Sequence, residues 1–179
     1  IYGREFPMEL WAKYAEVFDF KDEIFAPITE DALDAVGQIA MRRDLGAGPR
    51  TVINVLVEAV KYYESSMRPY SPFHLVDGFL EGRISFEEQG KFSHAVRKAL
   101  ENRLVASKRE YQRTIKLLAA FPLGCSAETI KGAGLSIAFD QLAESPIYGD
   151  IIYRRAEGYT LRGLLEEEVP GEPTYVRLV

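Results

Sequence analysis

Arg50 is the residue best placed for chemistry. It follows Gly46-Ala47-Gly48-Pro49, and Pro49 suits the first position of a helix, where its fixed φ and missing N–H are no handicap. A guanidinium projected from a helix start by a Gly-x-Gly-Pro turn can clamp a phosphate oxygen and stabilise charge in phosphoryl transfer. The same residues fit a plainer reading, in which Gly46 caps one helix, Pro49 opens the next and Arg50 is solvated.

No phosphate loop accompanies this arginine. Gly90-Lys91-Phe92-Ser93 has the end of such a loop, but position 85, where a second glycine is required, is Ser85. The stretch also lies inside a helical pattern with no strand before it. Gly132-Ala133-Gly134 reads as a connection between helices. With neither a Walker A nor a Walker B motif, the chain by itself is not expected to hydrolyse ATP.

A second set of cations is candidate nucleic-acid-binding residues: Lys131, Arg154, Arg155 and Arg162. They flank a helix over 135–144 that has no Lys or Arg. Only Ser136 and Gln141 there could read a base edge, and Asp140 and Glu144 would repel phosphate. Base-specific readout is therefore not expected. Contact with the DNA backbone and packing against protein both stay open. Alternation along a strand would place Tyr153 and Arg155 on one face and Arg154 on the other.

Other reactive side chains have plain readings. Two histidines and one cysteine make a His/Cys metal centre improbable, and one cysteine excludes an internal disulfide framework. His74 reads as a partly buried helix histidine. His94 reads as facing the polar side of its helix. Cys125 reads as an exposed thiol with no base placed near it. Glu87 and Glu88 are adjacent and would diverge on a helix, so they make a poor acid–base pair. Trp11, Tyr14, Phe18, Phe20 and Phe25 read as an aromatic packing patch, and Tyr62, Tyr63 and Tyr70 likewise as packing.

The chain has 179 residues, 47% of them hydrophobic and 27% charged, with a net charge of −5. That composition supports a packed core and does not describe a disordered or nucleic-acid-coating protein. No run is long and apolar enough for a transmembrane helix, so no membrane partner is expected, and the single cysteine makes a reducing, cytoplasmic location the economical reading. Residues 108–165 are the one net-basic part, with eight basic residues against six acidic. The chain opens on Ile1 and closes on a linker-like acidic stretch, so it is expected to be a piece of a longer protein.

Periodicity predicts helices over 7–18, from Thr29 through Arg42 and Arg43 to a cap at Gly46, from Pro49 through Tyr63, and over 72–80. Ser85, with Glu88 three residues on, predicts a capping box opening a long helix through Leu104. Helices follow over 108–121, after Ser126, and over 135–144. The period then changes: Ile151–Arg155 and Tyr159–Arg162 read as two strands about a Glu157-Gly158 turn. Three helices followed by a two-stranded wing is the order of a winged helix-turn-helix. The expected fold is mainly α: a helical lid-like bundle over 1–107, a winged-helix domain over 108–165 with a small β-hairpin wing, and an acidic tail or linker over 166–179.

The run Arg42-Arg43-Asp44-Leu45-Gly46-Ala47-Gly48-Pro49-Arg50-Thr51-Val52-Ile53-Asn54 resembles the sensor-2 region in the helical lid of AAA+ ATPases. A lid followed by a winged helix is similar to the order in initiator-type and defence-type AAA+ proteins. The long helix plus wing also resembles large P-loop proteins of bacterial phage-resistance (BREX-like) systems. The resemblance covers residues 29–165. It implies that Arg50, and less directly Arg43, contacts the γ-phosphate of ATP held mainly by another domain, with neighbouring ATPase subunits and DNA as partners. The rival expectation is a nucleotide-independent winged-helix module that binds DNA or protein.

Overall fold

The computed structural model describes residues 3–20, 22–146 and 151–164, apart from the Arg43 side chain. The expected tail over 166–179 therefore lies outside the described residues. The chain is mainly helical and divides into two compact units, the first ending at Gln89 and the second beginning at Gly90. This division falls ahead of the expected 107/108 boundary.

The first unit holds α1 (Phe6–Val17), α2 (Glu30–Met41), α3 (Pro49–Ser66) and α4 (Pro72–Leu80). Helix α2 is its centre. It packs against α1, α3 and α4, and Leu33, Val36 and Ile39 are all buried. Thr29 caps it, its Oγ1 accepting the Ala32 N–H at 3.3 Å. Trp11, Val52, Val55, Leu56, Leu75 and Phe79 complete the apolar core. Residues 27–29 run beside Tyr70: the Tyr70 N–H donates to Pro27 O at 2.8 Å and the Thr29 N–H to Tyr70 O at 3.0 Å.

Two helix ends differ from the sequence expectation. Helix α2 stops at Met41, and a single 3-10 turn, Arg43–Leu45, carries the chain to Gly46. Arg42 thus lies outside the last turn of α2, where its guanidinium pairs with Asp44, Nε to Oδ1 at 2.7 Å. Ser85 caps nothing. Its carbonyl accepts from Thr51 Oγ1 at 3.3 Å, and the next helix opens at Gln89.

The second unit holds α5 (Gln89–Glu101), α6 (Arg103–Ser107), α7 (Arg109–Ala120), α8 (Ala127–Gly132) and α9 (Ser136–Glu144), then β1 (Ile152–Arg155) and β2 (Gly158–Leu161). The long helix expected through Leu104 is broken at Asn102, whose side chain accepts the Leu104 N–H at 3.3 Å and starts α6. The break buries Val105, and α6 packs on α7. Ser126 caps α8 as expected, accepting the Thr129 N–H at 3.1 Å.

Strands β1 and β2 pair antiparallel, with Ile152 opposite Leu161 and Arg155 opposite Gly158. The turn is therefore Ala156-Glu157, and Gly158 is already in the strand. Its φ of +148° and the tight space at its Cα have a non-local cause. Residue Cys125, between α7 and α8, pairs antiparallel with Tyr159: Cys125 N–H to Tyr159 O at 2.7 Å, Tyr159 N–H to Cys125 O at 2.9 Å. A Cβ on Gly158 would lie 2.5 Å from the Cys125 carbonyl carbon. Cys125 is consequently buried, not the exposed thiol expected. Phe139 of α9 meets the Tyr159 ring at 4.8 Å, and Thr160 Oγ1 donates to Leu118 O of α7 at 3.3 Å, which ties the hairpin to the helices.

Candidate functional site

Arg50 is exposed at the second position of the 18-residue α3, after a Gly48 N-cap and Pro49. No side chain caps this helix start, so Arg50 sits at the uncapped, positive end of the helix dipole. The approach to α3 is held from behind. The Glu88 N–H donates to Leu45 O at 3.1 Å, and Thr51 reaches Ser85. Gly46, at φ +65°, lies so close to Glu87 that a Cβ would stand 2.9 Å from Glu87 Cγ and nearer still to Cβ. The Gly46–Arg50 bend thus rests on residues 85–88. Arg43 begins the 3-10 turn, and its side chain lies outside the described part.

The wing brings two of its three arginines together. Arg155 and Arg162 each approach the Tyr153 ring, at 5.6 and 5.7 Å from guanidinium carbon to centroid. Arg154 is exposed on the opposite face of β1, as the alternation requires. Lys131 is exposed in the last turn of α8. On α9 the outward residue is Ile137, 75% exposed. Gln141 is partly committed, its Oε1 accepting from the Tyr111 hydroxyl at 2.8 Å.

Tyr62 and Tyr70, expected to pack, do so around the partly buried His74. Tyr62 of α3, Tyr70 ahead of α4 and His74 of α4 cluster, Tyr62 and His74 tilted with ring centroids 4.2 Å apart and Tyr62 edge-on to Tyr70 at 5.9 Å. His74 closes a capping box with Ser71: its Nδ1 accepts the Ser71 N–H at 3.0 Å, which leaves the proton of the neutral ring on Nε2. Beside the rings, Arg83 pairs with Glu58 at 3.0 Å and also with Glu81. A cleft of about 360 Å³ opens there, with Lys61 and Asp77 also on its walls. Its signal in the sequence was the Ser71-x-x-His74 spacing and the i, i+4 placement of Glu58 and Tyr62 on one helix face.

Electrostatics in the cleft follow from burial. Burial raises the Tyr70 phenol well above its ordinary value, with Glu58 adding to the rise. Burial also lowers His74 below the usual imidazole value, against the smaller opposing pull of Asp77. A lowered folded-state value means that the unfolded chain binds the proton first. His74 therefore contributes its full stability above about pH 6.5, and that contribution is lost as pH falls through the folded value.

Among the described residues no group of three His, Cys, Asp or Glu side chains is placed to hold a metal ion, and no helix is long and apolar enough to cross a membrane. Comparison of the chain with protein-family profiles, with characterised proteins and with solved structures finds no match.

Proposed function

We propose that the chain is a cytoplasmic regulatory portion of an AAA+-like ATPase. In this reading residues 1–107 are the lid. Arg50 contacts the γ-phosphate of ATP held mainly by residues outside the chain, and Arg43 assists. The winged helix-turn-helix, over 108–165, passes the nucleotide state to DNA or to a neighbouring subunit. The observation that carries the reading is the exposed Arg50 at the uncapped start of α3, on a bend backed by residues 85–88. The fixed bend places the backbone of Arg50, so that ordering its side chain is the entropy left to lose when the guanidinium meets a phosphate oxygen. The winged-helix part is supported by the antiparallel pairing of Cys125 with Tyr159, which adds a short edge to the hairpin between the first two of three consecutive helices.

The test is ATP hydrolysis and nucleotide affinity in the ATPase that carries this chain. Arg50→Ala is expected to reduce turnover about tenfold to a hundredfold, the worth of one charge-assisted hydrogen bond to phosphate. Arg50→Lys is expected to recover part of it. Unchanged hydrolysis and affinity in Arg50→Ala would sink the sensor role.

A second reading, a nucleotide-independent DNA-binding module, is favoured by the wing, where Arg155 and Arg162 gather at Tyr153. Here the chain alone binds duplex DNA with an affinity that falls steeply with salt. Removing Arg154 and Arg155 together is expected to lower the log–log salt slope by about 2. A slope that does not change places the partner of this unit among proteins.

A further inference from the structure

We infer that the outer face of α1 docks a basic amphipathic helix of a partner protein, whose apolar side chains lie along Leu10, Tyr14 and Val17 and whose lysines or arginines meet the carboxylates beside that stripe. Helix α1 has more apolar residues than its own unit covers. Its inward face is Pro7, Trp11 and Ala15. Leu10, Tyr14 and Val17 recur at i, i+4 and i+7, the spacing of a second helical stripe. Leu10 and Tyr14 are half-buried, whereas Val17 is 78% and Phe18 51% exposed. The end of the helix explains this exposure. Asp19 takes the left-handed conformation, φ +61°, and the Phe20 N–H donates to Ala15 O at 2.8 Å. That turn carries Phe20 back onto Trp11, ring centroids 6.2 Å apart, and leaves Val17 and Phe18 at the surface.

Charge selects the occupant. Residues 9–23 carry five carboxylates, Glu9, Glu16, Asp19, Asp22 and Glu23, against two lysines. All five are exposed, and among the described residues no ion pair or side-chain hydrogen bond engages them. Glu9 and Glu16, seven residues apart, share one flank of the helix. A second copy presenting the same face would set like charges against each other, which opposes self-pairing. An anionic lipid surface and a nucleic-acid backbone are repelled for the same reason. A helix with Lys or Arg beside an apolar stripe answers both features at once, its anchors recurring every turn as those of α1 do.

The experiment follows the fluorescence anisotropy of a labelled peptide, two copies of Leu-Lys-Lys-Leu-Leu-Lys-Leu in tandem, as the full chain is added. Saturable binding is expected, and about tenfold weaker binding when glutamate replaces lysine in the peptide or when its order is scrambled so that no apolar face forms. Val17→Lys is expected to weaken binding about tenfold without disturbing the fold, because the side chain is so exposed. Glu9→Gln with Glu16→Gln is expected to weaken it about three- to fivefold and to flatten its salt dependence. Ile137→Lys places the same charge on an equally exposed apolar residue of the second unit and is expected to leave binding unchanged. An equal loss there overturns the proposal, since the attraction is then non-specific. No saturable binding, or full affinity in Val17→Lys or in the glutamine pair with far-UV circular dichroism unchanged, overturns it as well. So does a concentration-dependent dimer of the free chain that Val17→Lys abolishes in sedimentation, because a second copy is then the occupant.

Discussion

Gly158→Ala is expected to destabilise the second unit by about 3 kcal/mol or more. Two independent penalties act at this position. The backbone φ of +148° is one that a residue with a Cβ rarely adopts. The added carbon would also overlap the Cys125 carbonyl, 2.5 Å from its carbon and closer to its oxygen. Both obstacles are backbone atoms, so no side chain can swing aside to make room. Relief requires β2 to move away from Cys125, which breaks the two hydrogen bonds between Cys125 and Tyr159, each worth about 1 kcal/mol. The Phe139–Tyr159 contact would loosen with them. Gly134→Ala is the control. It also has a positive φ, +73°, but open space around its Cα, so only the conformational penalty of about 1 kcal/mol applies. Urea unfolding gives the difference, and amide exchange at Cys125 and Tyr159 locates it. A Gly158→Ala protein within about 0.5 kcal/mol of the parent would mean that this pairing does not form in solution. The winged-helix reading would then lose its support.

The same glycine shows where sequence reasoning reaches and where it stops. Thr29, Pro49 and Ser126 were assigned correctly because a cap involves groups only two or three residues away, and the side-chain type encodes the bond. Gly158 carries a local signal that points to the wrong role. A glycine after Glu157 looks like a turn residue, whereas its actual constraint comes from Cys125, far away in sequence. Ser85 failed in the same way. Its spacing to Glu88 has the form of a capping box, but Thr51 and Leu45 engage this stretch first, through Ser85 O and the Glu88 N–H. Asn102, a strong N-cap residue, is masked in the sequence by the regular apolar pattern on either side of it. For the candidate sites the division is similar. The Arg50 bend is contiguous and could be read directly. The cleft at Tyr62 needs a ring from α3 beside a histidine of α4, and only tertiary packing makes them neighbours.

Trp11→Ala is expected to cost the first unit about 3–5 kcal/mol, a large share of the stability of an ordinary domain. The indole is fully buried, and its Nε1–H donates to Ile24 O at 2.7 Å. Its ring stacks on Phe20 with centroids 6.2 Å apart, and Phe20 meets Tyr63 of α3 edge-on at 5.9 Å. Truncation therefore leaves a cavity, removes the donor to Ile24 and unlinks α1 from α3. Trp11→Phe separates these contributions: it keeps most of the apolar area and loses the hydrogen bond, so about 1–3 kcal/mol is expected. Trp11 is the one tryptophan of the chain, so its own emission cannot follow the variants; far-UV circular dichroism in urea can. Helix α3 carries Arg50 at its start and Tyr62 about three turns later, so both candidate sites depend on its anchorage. Yet neither Arg50 nor the cleft touches the indole in any contact described for it. Trp11→Phe should thus leave the NMR shifts of the Tyr62 and His74 rings unchanged under conditions where the chain is fully folded. Altered ring shifts in folded Trp11→Phe would show instead that the aromatic chain from Trp11 through Phe20 to Tyr63 sets the position of the neighbouring Tyr62 ring.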